Sequence, residues 1–512
     1  MNKERQRPLA LMLVIIAAAL GFRLVGLTRE AFHIDEIYSS QFSTGKTQKI
    51  LRLNAKDVHP PLYTLLLAKW RAAFGNSRWD HRSYSVLWSI LGLSALGLFA
   101  RDLTAGKATP LLVMALGAVH PLDIQHAQEA RMYPQLAALG TLSSWLLWRW
   151  FLTEVRGSHP LRWLGWAAGY LATAVAILYT HYLGVTLLLT QGVFAAVIFV
   201  RHRRWGSVFG YLGCAAASAA AFLPWLVFVR RFRGELYSDE HLQWIPKPGF
   251  ADALGILSRE LSWGNAPIPA PWSLIFRLLS IGAVIAIAWL IVRLLSSSSP
   301  PADSGRREAS RLRIAYPAWL LFGPVVLAVA ISYLYHPVYY PPRFSLLVLA
   351  PFLVLTGQAL EQLDRTRTRR LAAAALGLLM ASATVVQTSV VSRRGMYDFA
   401  TLWEDAGPPS AVVFFPAFKA KEASHYVGLK IRSARRSRIE EIVESGVPAV
   451  VWVCVHRGYG GGSQNADELY REWLLDLGPV EKIATVDNIR VFTVSLGPRK
   501  DPPPQISRQQ QP

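Results

Sequence analysis

Runs of about 20 apolar residues recur along the first four fifths of the chain, each long enough to cross the hydrocarbon of a bilayer as a helix. A soluble protein breaks such runs with charge every few residues, whereas here only 17% of 512 residues are charged and the mean hydropathy is +0.26. That composition excludes a disordered chain. The pattern predicts an α-helical polytopic membrane protein. The formal net charge of +21 would suit a nucleic-acid partner, but the basic excess sits in short loops between apolar runs, where membrane topology explains it, so no nucleic-acid partner is expected. Cys214 lies in an apolar run and Cys454 in the polar C-terminal region, so no disulfide and no Cys-based metal site is predicted.

The first run, Pro8 to Leu27, follows Lys3, Arg5 and Arg7 and reads as an uncleaved first span, with cleavage as a signal peptide the lesser alternative. Further spans are predicted at Tyr84 to Ala100, Pro110 to Ile124, Pro134 to Trp150, Leu161 to Tyr179, Leu183 to Val200, Val208 to Val229, Trp272 to Val292, Ala315 to Tyr333, Phe344 to Leu360 and Leu371 to Val391, eleven in all. With the N-terminus cytoplasmic, twenty Lys and Arg fall in the segments assigned inside, among them Arg201, Arg203 and Arg204. The short outer loops carry only Arg131 and Arg343, which supports this orientation. The long outer loops are residues 28–83 and 230–271, and within the first, Pro61 to Gly75 reads as an amphipathic helix at the outer interface.

After Val391 the composition changes. Short β-rich runs at Ala411 to Phe415, Val450 to Val455 and Ile489 to Val494 alternate with helical stretches at Ser437 to Glu444 and Asp467 to Leu477, which predicts a small α/β domain over 392–497 outside the membrane. Residues 498–512 read as a disordered tail and Ser296 to Ser304 as a linker. The glycine-rich segment His456 to Ser463 imitates a phosphate-binding loop but lacks the third glycine of the dinucleotide fingerprint and the Lys of a P-loop, so it is read as a plain loop.

Ionisable side chains near a bilayer are costly and therefore informative when they gather on one face. Five segments do so on the outer side: His33-Ile34-Asp35-Glu36, His59-Pro60-Pro61-Leu62-Tyr63, Gln128-Glu129-Ala130-Arg131-Met132-Tyr133, Tyr179-Thr180-His181-Tyr182 and Tyr339-Tyr340-Pro341-Pro342-Arg343. Each alone has a plainer reading: an acidic first helical turn, a helix start after prolines, an Arg snorkelling to the interface, an aromatic belt. Their order and spacing over residues 1–391 resemble the membrane glycosyltransferases of the GT-C class. The nearest likeness is to the family of protein O-mannosyltransferases, lipid A aminoarabinose transferases and lipopolysaccharide-core glycosyltransferases. The Trp-Trp-Asp signature of oligosaccharyltransferases is absent, which points to transfer of one sugar.

The resemblance implies an inverting glycosyltransferase at the outer face of a cytoplasmic membrane. It would take a sugar from a polyprenyl-phosphate carrier to the hydroxyl of a lipid, glycan or protein acceptor. On that reading Asp35 is the general base and Glu36 positions the acceptor or adjusts the charge of Asp35. Arg131 and Arg343 would hold the carrier phosphate, since guanidinium gives bidentate, permanently charged contacts. His59, Tyr63, Glu129, Tyr133, His181 and Tyr182 would line the sugar and acceptor pocket, with Glu129 alternatively a partner of Arg131. No cofactor is required; His33, Asp35 and Glu36 leave a divalent cation open without specifying one. The competing class is a transporter or flippase of polyprenyl-linked sugars, which would instead place ionisable groups near the midplane on paired broken helices.

Overall fold

The computed structural model describes residues 3–30, 32–57, 59–155, 162–232, 247–249, 255–256, 261, 272–296, 304–363, 366–390, 403–404, 409–415, 441–442, 449–456, 480–486 and 489–496. The chain divides into two compact units, residues 1–27 with 39–391 and residues 28–38 with 392–512.

The larger unit is helical. Its elements are α1 (Lys3–Leu24), the later part of α2 (Ile34–Phe42), α3 (Thr47–Ala55), α4 (Leu62–Phe74), α5 (Arg78–Leu103), α6 (Thr109–Ala118), α7 (Pro121–Ala127) and α8 (Tyr133–Val155). There follow α9 (Arg162–Thr180), α10 (Gly184–Arg201), α11 (Trp205–Arg230), α12 (Trp272–Ser296), α13 (Ser304–Leu334), α14 (Pro341–Glu361) and α15 (Thr366–Val390). Among the described residues seven helices, α5, α9, α10, α11, α13, α14 and α15, are long and apolar enough to cross a membrane by length and composition. α14 is central, with 78% of its most apolar window buried, whereas α11 and α15, at 28% and 22%, turn most of their apolar surface outward. Side chains such as Phe209, Leu212 and Leu223 lie exposed on α11, as a lipid-facing helix requires. α8 is the polar-flecked partner of the core: it packs between α5 and α9 and buries Trp148 and Trp150 completely.

One expected span is broken. The run from Pro110 to Ile124 is two helices, α6 and α7, separated at Val119 and His120. Pro121 has no N–H to continue the ladder and its ring disfavours helical backbone at the preceding residue, so α6 ends there and α7 restarts with Pro121 in its first turn. The predicted Pro61 to Gly75 helix is present as α4, which buries Tyr63, Thr64 and Leu67.

In the smaller unit a four-stranded sheet is ordered β1-β2-β4-β3, with β1 (Ala411–Phe415), β2 (Ala449–His456), β3 (Val480–Val486) and β4 (Ile489–Leu496). β1 and β2 are parallel, while β4 is antiparallel to both β2 and β3. Val451 and Trp452 are consecutive, so they face opposite sides of the sheet, and both are buried, which means that both faces are covered. Trp403 meets Trp452 edge-on at 5.6 Å. β3 is an addition to the sequence reading: its Glu481 and Lys482 interrupt the apolar pattern, and a bulge falls between Lys482 and Ala484. Most of the predicted helical stretches, the glycine-rich loop beyond His456 and the tail lie outside the described residues. Cys214 and Cys454 are free thiols.

Candidate functional site

Four of the sequence motifs converge within the helical unit. His59 precedes two prolines; the residue before proline is held extended, and α4 starts at Leu62 with Thr64 Oγ1 donating to the Pro61 carbonyl at 2.9 Å. Arg131 sits in the bend before α8, whose second residue is Pro134. His181 occupies the tight turn between α9 and α10. Gly184 permits that turn, because a Cβ there would stand 2.2 Å from Ile177 Cγ2. Arg343 is in the first turn of α14, behind the N-terminal Pro341.

These backbones bring the side chains into one cluster. Arg131 is buried and its Nη2 donates to His59 Nε2 at 3.1 Å, while Nη1 donates to Ser39 Oγ at 3.2 Å. The His59 and His181 rings lie 4.9 Å apart, and His181 lies 5.8 Å from the ring of Tyr133. Both guanidiniums share that tyrosine: Arg131 and Arg343 stand 5.9 and 5.7 Å from its centroid, and Arg343 also lies 5.6 Å from the Tyr340 ring. Two cations therefore flank one aromatic face, with two imidazoles beside them.

The imidazoles are neutral, and their tautomers follow from their partners. His59 Nε2 accepts from Arg131, so its proton is on Nδ1, a buried atom with no hydrogen-bond partner among the described residues. His181 Nδ1 accepts from the Leu183 backbone N–H at 3.0 Å, which puts its proton on Nε2. Burial first, then repulsion from a proton on His181 and from the Arg131 and Arg343 charges, pushes the His59 pKa well down. His181 is lowered to about 3 by burial and by the same two guanidiniums. The cluster thus carries two fixed positive charges and two neutral N–H groups.

The other predicted residues take different places. Tyr133 is central, and Tyr63 packs its ring 5.7 Å from Tyr84. Glu129 meets His126 Nδ1 at 3.2 Å, and the His126 ring lies 5.4 Å from Tyr133. Tyr182 turns toward α11, where its hydroxyl accepts from Trp225 Nε1 at 3.1 Å. Ser39 was missed by motif reading, and Tyr340, though within the last motif, was given no role: a Ser on a helix and a Tyr beside other aromatics carry no signal until a cation is seen against them. Gln135 was missed as well. It accepts from Tyr84 and donates to Thr180, both at 2.9 Å, tying α5, α8 and α9 together beside Tyr133.

In the smaller unit, Asp35 and Glu36 open α2. The Asp35 N–H donates to His33 Nδ1 at 3.1 Å, and Glu36 reaches back so that Oε2 accepts from the His33 N–H at 3.2 Å, a reciprocal N-terminal cap. Glu36 is buried in that role and Asp35 is half-buried. Among the described residues no group of three or more His, Cys, Asp or Glu side chains gathers as a metal-binding set.

No protein-family model matches the sequence, and no curated protein matches it. Solved structures do. ArnT from Cupriavidus metallidurans bound to undecaprenyl phosphate superposes with a TM-score of 0.55 at 14% identity, over 95% of this chain and 99% of its own. The archaeal oligosaccharyltransferase AglB from Archaeoglobus fulgidus, in complex with an inhibitory peptide and a dolichol-phosphate, gives 0.53 at 11% identity, over 88% of this chain and 70% of its own. An Archaeoglobus fulgidus oligosaccharyltransferase in complex with zinc and sulfate gives 0.51 at 12% identity, over 87% of this chain and 68% of its own. The chain has the GT-C glycosyltransferase fold that these proteins share.

Proposed function

We propose that this protein is an inverting glycosyltransferase that moves a single sugar from a polyprenyl-phosphate carrier to an acceptor hydroxyl at the outer face of a cytoplasmic membrane. The observation that carries the reading is the pairing of Arg131 and Arg343 across Tyr133, with the His59 and His181 imidazoles held neutral beside them. Such a set is built for an anion: two guanidiniums supply charge, and His59 Nδ1–H and His181 Nε2–H supply neutral donors. The shared fold supports a lipid-linked phosphate as that anion, since two of its solved examples carry undecaprenyl phosphate and a dolichol-phosphate. This reading moves His59 and His181 from the acceptor pocket to the phosphate.

In the proposed reaction the Asp35 carboxylate takes the proton of the acceptor hydroxyl as its oxygen attacks the anomeric carbon from the face opposite the phosphate. The bond from the anomeric carbon to the phosphate oxygen breaks, its electron pair leaves with the polyprenyl phosphate, and the configuration inverts. Glu36, engaged in capping α2, acts by positioning Asp35. Arg131 and Arg343 stabilise the charge that grows on the leaving phosphate. On this reading residues 1–391 form the membrane catalytic domain with a cytoplasmic N-terminus, residues 392–497 a periplasmic domain and 498–512 a disordered tail; no cofactor is required, and a divalent metal is left open without being predicted.

The test is Asp35→Asn in the purified full chain, supplied with polyprenyl-phosphate sugars. Loss of a general base costs about 10²–10⁴-fold in turnover while undecaprenyl phosphate still binds. Wild-type turnover in this variant removes Asp35 from the mechanism. Mass spectrometry of envelope lipids and glycans, with and without the gene, identifies the sugar and the acceptor; accumulation of a lipid-linked sugar on one side without a changed acceptor would favour a flippase.

A further inference from the structure

The break between α6 and α7 is held by a charged side chain that no motif singled out. Arg23, at the end of α1, is completely buried and spends every arm of its guanidinium there. Nη1 donates to the Ala118 carbonyl at 3.0 Å and to its own helix at Ala19, and Nη2 donates to the Gly117 carbonyl at 3.2 Å. The Gly117 carbonyl would ordinarily accept from residue 121, but Pro121 has no N–H; the His120 N–H reaches it at 3.4 Å, and the guanidinium adds a closer donor. Nη2 also pairs with Asp123 in the first turn of α7, and Ser89 on α5 bridges the two, accepting from Arg23 Nε at 2.6 Å and donating to Asp123 at 2.7 Å. The next carbonyl of the break, Val119, accepts from Thr384 on α15 at 2.9 Å.

A cation at the end of α6 and an anion at the start of α7 match the two helix dipoles that meet there. The arrangement also reaches past α7. Gln128 Nε2 donates to the carbonyls of Arg23 and Val25, at 3.2 and 2.8 Å, so the end of α1 grips both sides of α7. Three residues beyond Gln128 is Arg131. From this we infer that Arg23 is a positioning residue: with Asp123 and Gln128 it fixes the broken backbone of 117–128 and thereby sets where the Arg131 guanidinium stands against His59 and Tyr133. The inference rests on the phosphate-clamp reading of Arg131.

The experiment is a double-mutant cycle on the full chain, with undecaprenyl phosphate as the probe and hydrogen–deuterium exchange as a second readout. Arg23→Lys keeps the charge but has three N–H donors for the five acceptors that Arg23 serves, Ala19, Ser89, Gly117, Ala118 and Asp123, and is expected to weaken undecaprenyl phosphate binding about tenfold. Gln128→Leu leaves the buried pair intact, so it folds where Arg23→Lys does not, and is expected to weaken binding in the same direction by less. In the Arg131→Ala background neither change should cost anything further, because its route of action is gone. Exchange should rise over 117–133 in both single variants while α8 to α11 beyond residue 133 keep wild-type protection. Additive losses, or unchanged exchange over 117–133, overturn the inference and leave Arg131 as the clamp. Wild-type binding by Arg131→Ala, with raised exchange in Arg23→Lys, sinks the clamp reading itself and with it the positioning role.

Discussion

Between α8, α9, α10, α11 and α13, Gln191 accepts from Tyr170 at 3.1 Å and donates to Ser143 and Ser144, both at 2.9 Å. Those serines end on the Gly140 carbonyl, Tyr316 ends on the Ser144 carbonyl, and the one Tyr211 proton is shared between the Tyr170 oxygen at 3.0 Å and the Leu188 carbonyl at 3.4 Å. That network is neutral and each chain of donors finishes on backbone oxygen. The cluster around Tyr133 buries Arg131, Tyr133 and His181, yet it gathers two guanidiniums and leaves His59 Nδ1–H without a partner among the described residues. A closed neutral network fixes helix packing where water is absent. A cationic cluster with an unsatisfied donor does not repay its cost in packing alone, which separates a binding site from an internal seam.

The sharpest test of this difference is Arg131→Ala. It should weaken undecaprenyl phosphate by about 10- to 100-fold, the scale of one charge-assisted hydrogen bond of roughly 1.5–3 kcal/mol, with little change in acceptor affinity. Equilibrium binding in detergent or nanodiscs reads this directly, and an unchanged constant returns Arg131 to a packing role. Arg343 is less buried than Arg131 and stands against the Tyr133 and Tyr340 rings, so Arg343→Ala should lose less, about tenfold, within the same range. Arg343→Lys should recover only part of it because the planar fork and its stacking are gone. Full recovery by Lys would mean that charge alone matters there.

The neutral network should respond in the opposite manner. Gln191→Leu removes one acceptor and two donors, but the serines keep Gly140 and Tyr170 keeps Tyr211, so a destabilisation of about 0.6–1.7 kcal/mol is expected with undecaprenyl phosphate binding unchanged. A loss of binding in this variant would erase the distinction between the two clusters.

Much of this was legible in the sequence, and the part that was not has physical causes. Length and hydropathy exposed the helical bundle, since every long apolar run must be a helix in lipid, but they could not show that Pro121 ends one helix and starts another inside a single run. Arg131, Arg343, His59, Tyr133 and His181 were picked out as outer-face residues and do meet. Their pairing was not legible, because whether a His faces an acceptor or an arginine depends on helix ends that are far apart in sequence. Arg23 was hidden for a related reason: an Arg at the end of a first apolar run looks like a topology signal, and its carbonyl partners lie about one hundred residues away. β3 escaped because its charges break the alternation on which strand reading depends.

The smallest expected effect concerns the neutral histidines. In the folded protein His181 stays unprotonated down to about 3, whereas in the unfolded chain it titrates near its ordinary 6.5. Burial and the two neighbouring guanidiniums therefore lower the folded value, and between about 6.5 and 3 the unfolded state binds a proton that the folded state refuses. Stability from this source is complete above the upper limit and is lost as the pH falls through that window; His59 adds to it in the same direction. His181→Asn removes one such proton, so its thermal midpoint should fall less steeply from pH 7 to pH 5 than that of the wild type, although it begins lower for want of the contact with Leu183. Gln191→Leu titrates nothing and should run parallel to the wild type over the same range. Thermal midpoints of the three proteins in one detergent decide the matter: parallel curves for His181→Asn would mean that His181 titrates alike in the folded and unfolded chains, and the cluster would then take up a third cation beside Tyr133 as the pH falls.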